Sequence, residues 1–323
     1  MTVNKTKSDL PPLLSALRRG DKRAVARLIT LIENDHDAAR EIVKAIYPLT
    51  GKAHIVGVTG PPGAGKSTLI DVLVKHYRKA GKSVAVVAVD VSSPFTGGAF
   101  LGDRLRMASA QDPEVFVRSM GSRGAVGGLA RATRDAIRVL DAAGRDVIFV
   151  ETVGTGQDEV DIMNAAHTCL LVAVPGLGDE IQASKAGSME IADLFVVNKS
   201  DREGADKAAR ELQEMVHLGP KRDWTPPVLK AAALKGEGVA EVASALEEHR
   251  RFLGSRMGEW RRRTAEAEVR DLVRGLVEAR LADLKGSPET RKVVELVAAK
   301  KADPYTAAEE TLRKINSGKP KRA

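Results

Sequence analysis

The stretch Thr59-Gly60-Pro61-Pro62-Gly63-Ala64-Gly65-Lys66-Ser67-Thr68 decides the fold of this chain. It follows the apolar run 53–58 and leads into the apolar run 69–74, which predicts a strand before it and a helix after it. In that context the pattern G-x-x-x-x-G-K-[ST] indicates a phosphate-binding loop, whose backbone N–H groups surround a phosphate at the positive end of a helix. The alternative is a glycine-rich turn without a ligand. The strand and the helix on either side favour the phosphate loop.

The side chains of this loop have predictable roles. Lys66 is expected to reach the β- and γ-phosphates, and the Ser67 hydroxyl is expected to bind Mg²⁺. The nucleotide-binding residues predicted here are Gly60, Pro61, Pro62, Gly63, Ala64, Gly65, Lys66, Ser67 and Thr68.

A second motif, Asn198-Lys199-Ser200-Asp201, follows the apolar run 194–197 and predicts which base is bound. A carboxylate accepts two hydrogen bonds, and guanine offers a matching pair of donors on its ring N–H and its exocyclic amine. Adenine does not offer that pair, so Asn198, Lys199 and Asp201 predict GTP and GDP as ligands. Chance or a helix cap is the alternative origin of such a short motif.

Acidic residues at three places predict a magnesium site. Asp90 follows the apolar run 83–89, and Glu151 follows a third apolar strand at 146–150. Asp103 ends the glycine- and hydroxyl-rich loop 92–104. Glu151 and Gly154 resemble the acid-x-x-Gly pattern of many GTPases, in which the Gly N–H contacts the γ-phosphate. Mg²⁺ favours one or two carboxylates with phosphate oxygens and water. With Ser67, these three acids are the predicted metal ligands, and with Lys66 they are the predicted catalytic residues. Each acid alone could equally cap a helix or face solvent in a loop.

Periodicity divides the chain into three zones. Residues 1–48 have helical spacing, and residues 49–255 alternate apolar strands with helical stretches, which is typical of a mostly parallel sheet flanked by helices. Residues 256–323 are helical again. The fold class expected is therefore α/β, with a P-loop domain between a helical N-terminal arm and a helical C-terminal extension. The apolar stripe Val269–Leu281 could pack on the chain's own core, but it favours dimerisation with a second copy.

Composition limits the other possibilities. The net charge of +8 raises the question of nucleic acid, but only 3% of the residues are aromatic, so nucleic-acid binding is not expected. Cys169 is the only cysteine, no signal pattern is recognisable at the N-terminus, and no apolar run is long enough to span a bilayer. A cytoplasmic protein without a membrane span is expected.

The motifs together resemble those of the MeaB/ArgK/MMAA family of GTPases associated with methylmalonyl-CoA mutase. The phosphate loop, the segments 89–94, 96–98 and 101–104, and the segment 151–157 carry the resemblance, which extends over nearly the whole chain. It implies a homodimeric G-protein chaperone that binds the adenosylcobalamin-dependent mutase, gates cofactor delivery and protects the mutase from inactivation. It also implies that the segment 175–185 is a switch loop that responds to the partner.

Two departures from the usual GTPase pattern affect the site. The guanine-side loop usually contains Ser-Ala, whereas this chain has Ala232 and Ala233 before Leu234, so a backbone N–H would have to contact the base. Thr155 occupies the place of the glutamine that positions water in Ras-type proteins, and Gln157 is displaced by two residues. No water-positioning residue is therefore assigned, and slow hydrolysis that a partner stimulates is expected. A nickel-inserting GTPase and a transporter-associated kinase are the alternative functions.

Overall fold

The computed structural model describes residues 3–34, 36–90, 107–121, 128–152, 163–176, 188–220, 222–284 and 288–317. The chain forms two compact units, Met1–Arg256 and Met257–Ala323. The first unit holds both the helical N-terminal segment and the sheet, and the second unit is helical. The boundary expected at residue 48, between the N-terminal arm and the P-loop domain, stays a prediction.

The strands described in the first unit form one parallel sheet of seven strands in the order β3-β2-β4-β1-β5-β6-β7. Their bounds are β1 (His54–Thr59), β2 (Val84–Asp90), β3 (Val115–Gly121), β4 (Val147–Glu151), β5 (Thr168–Ala173), β6 (Leu194–Asn198) and β7 (Val228–Ala231). The predicted parallel α/β sheet is confirmed. Because the strands are parallel, all their carboxyl ends lie at one edge.

Helices cover both faces of this sheet. In chain order the helices are α1 (Val3–Arg18), α2 (Lys22–Asn34), α3 (His36–Ile46), α4 (Lys66–Lys79), α5 (Gly128–Ala142), α6 (Ser188–Ile191), α7 (Ala205–Leu218) and α8 (Val239–Gly254) in the first unit, then α9 (Met257–Leu284), α10 (Pro288–Ala298) and α11 (Pro304–Ser317) in the second. On one face α1, α2, α3 and α5 pack on the side chains of β1 to β4, and α7 packs on β5 and β6. On the other face α4 and α8 enclose a second apolar layer. Burial on both faces explains why the strands are continuous apolar runs.

One strand of the sheet was not predicted. β3 precedes the strand that was expected to be the third, so Glu151 ends the fourth strand along the chain. Its sequence contains the polar residues Arg118 and Ser119, which interrupt the apolar pattern. Arg118 is compatible with this position because it forms an ion pair with Glu33 of α2 and a 3.2 Å hydrogen bond to Thr30. A partner on a distant helix therefore permits a polar residue in an edge strand.

A network of polar side chains lies at the amino edge of the sheet, opposite the phosphate loop. The Thr168 hydroxyl is 2.8 Å from His54 Nε2 and 2.8 Å from His249 Nδ1. His249 Nε2 lies 3.5 Å from Asp193 Oδ1, and the other Asp193 oxygen accepts from the Cys169 N–H at 2.8 Å. This network of hydrogen-bonded side chains joins β1, β5 and α8. Burial, with the nearby His167 as the second cause, lowers the pKa of His54 to about 3 and the pKa of His249 to about 4.

These histidines predict a loss of stability in mild acid. Below pH 6.5 the unfolded chain binds protons at both positions and the folded chain does not, so the free energy of unfolding falls until the folded pKa values are reached. Between pH 7 and pH 5 each histidine is expected to cost about 2 kcal/mol. Urea unfolding at the two pH values measures the difference. His249→Gln should remove about half of this pH dependence, whereas the exposed His217→Gln should leave it unchanged. If the free energy of unfolding changed equally between pH 7 and pH 5 in both variants, the explanation would be wrong.

The second unit contains the longest helix described, α9, followed by α10 and α11. Apolar side chains at helical spacing on α9 are 40–59% exposed in the described chain: Val269, Leu272, Val273, Leu276, Val277 and Leu281. Neither α9 nor any other helix in the described ranges combines the length and the hydropathy that a membrane crossing requires.

Candidate nucleotide site

The sheet brings most of the predicted site residues to one edge. The phosphate loop leaves the carboxyl end of β1, and Glu151 is the last residue of β4 and pairs with Val58 in register. Asn198 ends β6 opposite Ala231, the last residue of β7. Residues separated by more than 160 positions in the sequence therefore meet at the carboxyl edge, where ligands bind in open α/β sheets.

The phosphate loop has a shape that only glycine permits at two positions. Gly60 has φ +139°, and a Cβ there would lie 2.1 Å from the Val172 carbonyl oxygen. Gly65 has φ +85°, and its Cβ would lie 2.5 Å from Asn198 Nδ2. The loop therefore passes directly against β5 and against the base motif. Pro61, Pro62, Gly63 and Ala64 complete it, and Lys66, Ser67 and Thr68 form the first turn of α4.

The Lys66 ammonium lies across the phosphate loop. Lys66 is 7% exposed, and its Nζ donates to the Gly60 oxygen at 2.7 Å and to the Pro61 oxygen at 3.1 Å. The N–H groups of the first helical turn have no partner within a helix, and they carry the positive end of its dipole. A buried ammonium beside such N–H groups can stabilise the negative charge of a polyphosphate.

Ser67 and Glu151 form the part of the predicted metal site that is described. The Ser67 hydroxyl donates to Glu151 Oε1 at 2.7 Å, and the Glu151 residue is 8% exposed. A hydroxyl and a carboxylate are the hard oxygen donors that Mg²⁺ favours, so this pair fits such an ion. Asp90 is described only in its backbone, at the end of β2. Asp103, Gly154, Thr155, Gln157 and residues 177–185 of the expected switch loop lie outside the described residues.

The Asn198 side chain joins three segments of the site. Its Nδ2 donates to the Ala64 oxygen at 2.8 Å, and its Oδ1 accepts from the Ala233 N–H at 3.2 Å. Lys199 has φ +57°, and its Nζ donates to the Gly63 oxygen at 2.7 Å. These contacts hold the phosphate loop, the base motif and the loop after β7 together. Motif spacing alone did not predict them.

The Asp201 carboxylate stands beside the loop after β7. Its Oδ2 lies 3.2 Å from Lys235 Nζ, and this contact lowers the pKa of Asp201. The side chains of Ala232 and Ala233 are buried, and their N–H groups donate to the Glu237 oxygen at 3.0 Å and to Asn198 Oδ1 at 3.2 Å. The backbone contact to the base expected from these residues would therefore have to replace one of these bonds. Leu234 is 90% exposed. Lys235 was not predicted as a site residue, although its position directly after Leu234 in this loop was visible in the sequence.

Comparison with known proteins identifies the family. A family model described as methylmalonyl Co-A mutase-associated GTPase MeaB matches residues 25–286. The chain belongs to the MeaB family. It is therefore a P-loop GTPase that binds guanine nucleotides, and the predicted family membership and enzyme class are confirmed.

Relatives of this MeaB-family chain extend over most of its length. A protein named as a GTPase in Pyrococcus abyssi is 52% identical over 313 residues, which cover 95% of this chain and 97% of that protein. A mouse protein named methylmalonic aciduria type A homolog, mitochondrial, is 35% identical over 259 residues, which cover 73% of this chain and 62% of the mouse protein. A solved structure described as the LAO/AO transport system kinase superposes with a TM-score of 0.73 at 27% identity and covers 96% of this chain and 98% of that one.

Proposed function

We propose that this GTPase is a G-protein chaperone of adenosylcobalamin-dependent methylmalonyl-CoA mutase, which gates loading of the cofactor and protects the mutase from inactivation. The family description and the name of the mouse relative support this proposal. Within the molecule, the nucleotide-binding part of the proposal is supported by the Asn198 side chain, which bonds the phosphate loop at Ala64 and the base-side loop at Ala233. One side chain thus couples the segments proposed to bind the two ends of a guanine nucleotide.

In the proposed reaction, water attacks the γ-phosphorus in line with the departing GDP. The bond from the γ-phosphorus to the bridging oxygen breaks, one proton of the water remains on the phosphate and the other is released. Lys66 stabilises the charge that develops on the phosphate oxygens, in place of its present contacts with Gly60 and Pro61. The N–H groups at the start of α4 assist it.

The proposed ligands of Mg²⁺ are Ser67, Asp90, Asp103 and Glu151. When bound, this ion supplies neutralisation of charge on the β- and γ-phosphate oxygens. The protein itself holds the oxygen donors in place. Glu151 is held at the buried end of β4, within hydrogen-bonding distance of Ser67.

The partner is proposed to act through the switch segment 175–185. The site has no assigned residue that positions water, so hydrolysis by the isolated protein is proposed to be slow. Groups that a partner supplies accelerate GTP hydrolysis by up to ~10³–10⁵ in known GTPases. GTP and GDP would differ in their contacts with the switch segment, which would alter the affinity for the mutase.

A homodimer is proposed as the working form. It is supported by the exposed apolar stripe of α9, which extends from Val269 to Leu281. A contiguous exposed apolar patch of this kind usually marks a site of interaction with another protein. A second copy would cover the stripe.

Addition of the purified mutase is expected to raise GTP turnover at least about tenfold, which is below the ~10³–10⁵ that groups supplied by a partner can reach. Phosphate release measured at increasing mutase concentration checks this expectation. The same titration with the Lys66→Ala variant is the control, because it should show no rise and so excludes a contaminating GTPase. No stimulation and no detectable complex would contradict the chaperone role.

A kinase that acts on a transporter is the second candidate function, because the superposed structure is described as a transport system kinase. The two functions differ in where the γ-phosphate goes. With GTP labelled at the γ-phosphate, the chaperone should release all label as inorganic phosphate. Label that becomes covalently bound to a protein would favour the kinase.

A further inference from the structure

A lysine outside the predicted site touches the residue proposed to read the base. Lys235 lies in the 3₁₀ turn Ala233–Lys235 after β7, and its Nζ is 3.2 Å from Asp201 Oδ2. The Lys235 side chain is 53% exposed and the Asp201 side chain is 34% exposed. Exposed ion pairs of this kind usually contribute little, because both side chains lose freedom when they pair.

This pair differs because both of its backbones are fixed. The Ser200 N–H, one residue before Asp201, donates to the Ala231 oxygen at 3.0 Å. The Ala233 N–H donates to Asn198 Oδ1 at 3.2 Å. The loop after β6 is therefore tied to the loop after β7 at two points. Only side-chain freedom is then lost when the two charges pair, because the backbones are already ordered.

The turn that carries Lys235 is also closed on itself. Ala232 and Glu237 exchange backbone hydrogen bonds of 3.0 and 3.3 Å, and the Lys235 N–H donates to the Ala232 oxygen at 2.8 Å. Gly238, with φ +74°, ends the turn so close to β7 that a Cβ there would lie 2.2 Å from the Lys230 oxygen. The Cα of Lys235 is thus held in a rigid turn.

The contact leaves Asp201 able to bind a base. A carboxylate has about four lone-pair positions on its two oxygens, and the ammonium of Lys235 uses one of them on Oδ2. Positions on both oxygens remain for the ring N–H and the exocyclic amine of guanine.

We propose that Lys235 is a positioning residue for guanine recognition, which orients the Asp201 carboxylate so that both oxygens face the two donors of the base. The inference rests on the proposed reading of guanine by Asp201. Without Lys235 the carboxylate can rotate about its Cβ–Cγ bond. It then still accepts one hydrogen bond well, but it is no longer fixed for two.

The test compares GDP with IDP, whose hypoxanthine base lacks the exocyclic amine. Calorimetry on the full chain measures both dissociation constants for the wild type and for Lys235→Ala. The variant is expected to bind GDP about 5-fold more weakly and IDP less than about 2-fold more weakly, so its preference for GDP over IDP falls. Lys235→Arg keeps the charge and the donor, and it should restore most of the preference.

Lys230→Ala is the matched control. Lys230 lies on β7 and forms an exposed ion pair with Asp206 of α7 at 2.7 Å, and its removal should change neither constant. If Lys235 contributed only its charge or the order of the loop, Lys235→Ala would weaken the binding of GDP and of IDP equally. That result would overturn the positioning role. Unchanged or tighter GDP binding in Lys235→Ala would overturn it as well. A wild type that binds GDP and ADP alike would instead overturn the proposed base recognition.

Discussion

The Asp201→Asn variant is expected to exchange its preference for guanine for a preference for xanthine. An asparagine amide presents one acceptor and one donor, so its donor would face the exocyclic amine of guanine. Xanthine has a carbonyl in place of that amine and matches the amide at both positions. The ratio of the dissociation constants for GDP and XDP should change by about 10³ or more, since a polar site discriminates strongly against a ligand that leaves its groups unpaired.

Competition with a fluorescent guanine nucleotide measures both constants. Asp206→Asn is the matched control, because Asp206 is also an exposed aspartate paired with a lysine, at 2.7 Å, and lies in the first turn of α7. It should keep the preference of the wild type. A GDP to XDP ratio that is the same in both variants would remove Asp201 from base recognition.

The second large effect is expected for Lys66→Ala. The Lys66 ammonium is buried within the phosphate loop and donates to the Gly60 oxygen at 2.7 Å. Loss of one fixed charge-stabilising donor typically lowers a rate by about 10²–10³. Single-turnover hydrolysis of GTP should slow by at least this factor.

Lys79→Ala controls for the loss of a lysine from the same helix, because Lys79 is exposed at the other end of α4. It should hydrolyse GTP at the wild-type rate. Urea unfolding of both variants separates a catalytic defect from a folding defect. Wild-type turnover by folded Lys66→Ala would place the charge stabilisation elsewhere.

Local sequence predicted the elements whose conformation depends on near neighbours. The phosphate loop was predictable because Gly60 and Gly65 adopt positive φ values in a fixed spacing between a strand and a helix. The strands that end at Asp90, Glu151 and Asn198 were predictable because burial on both faces makes them apolar throughout. β3 was not predictable in this way, since Arg118 is neutralised by Glu33, a residue 85 positions away.

The candidate site was likewise predictable from the sequence only in part. The motifs predicted which residue types could bind phosphate, metal and base. They did not predict that Asn198 bonds Ala64 and Ala233 rather than serving the base alone, or that Lys235 pairs with Asp201. Each of these contacts joins segments that no local pattern relates.

The sequence by itself determined the P-loop fold, the family and the choice of a guanine nucleotide, because each depends on short runs of residues with a fixed backbone requirement. Only the tertiary structure decided which distant side chains meet. The strand order places β1 between β4 and β5, so that Ser67 reaches Glu151 at one edge and His54 reaches Thr168 at the other. That order results from the crossover connections between parallel strands, and no single segment of the chain encodes it.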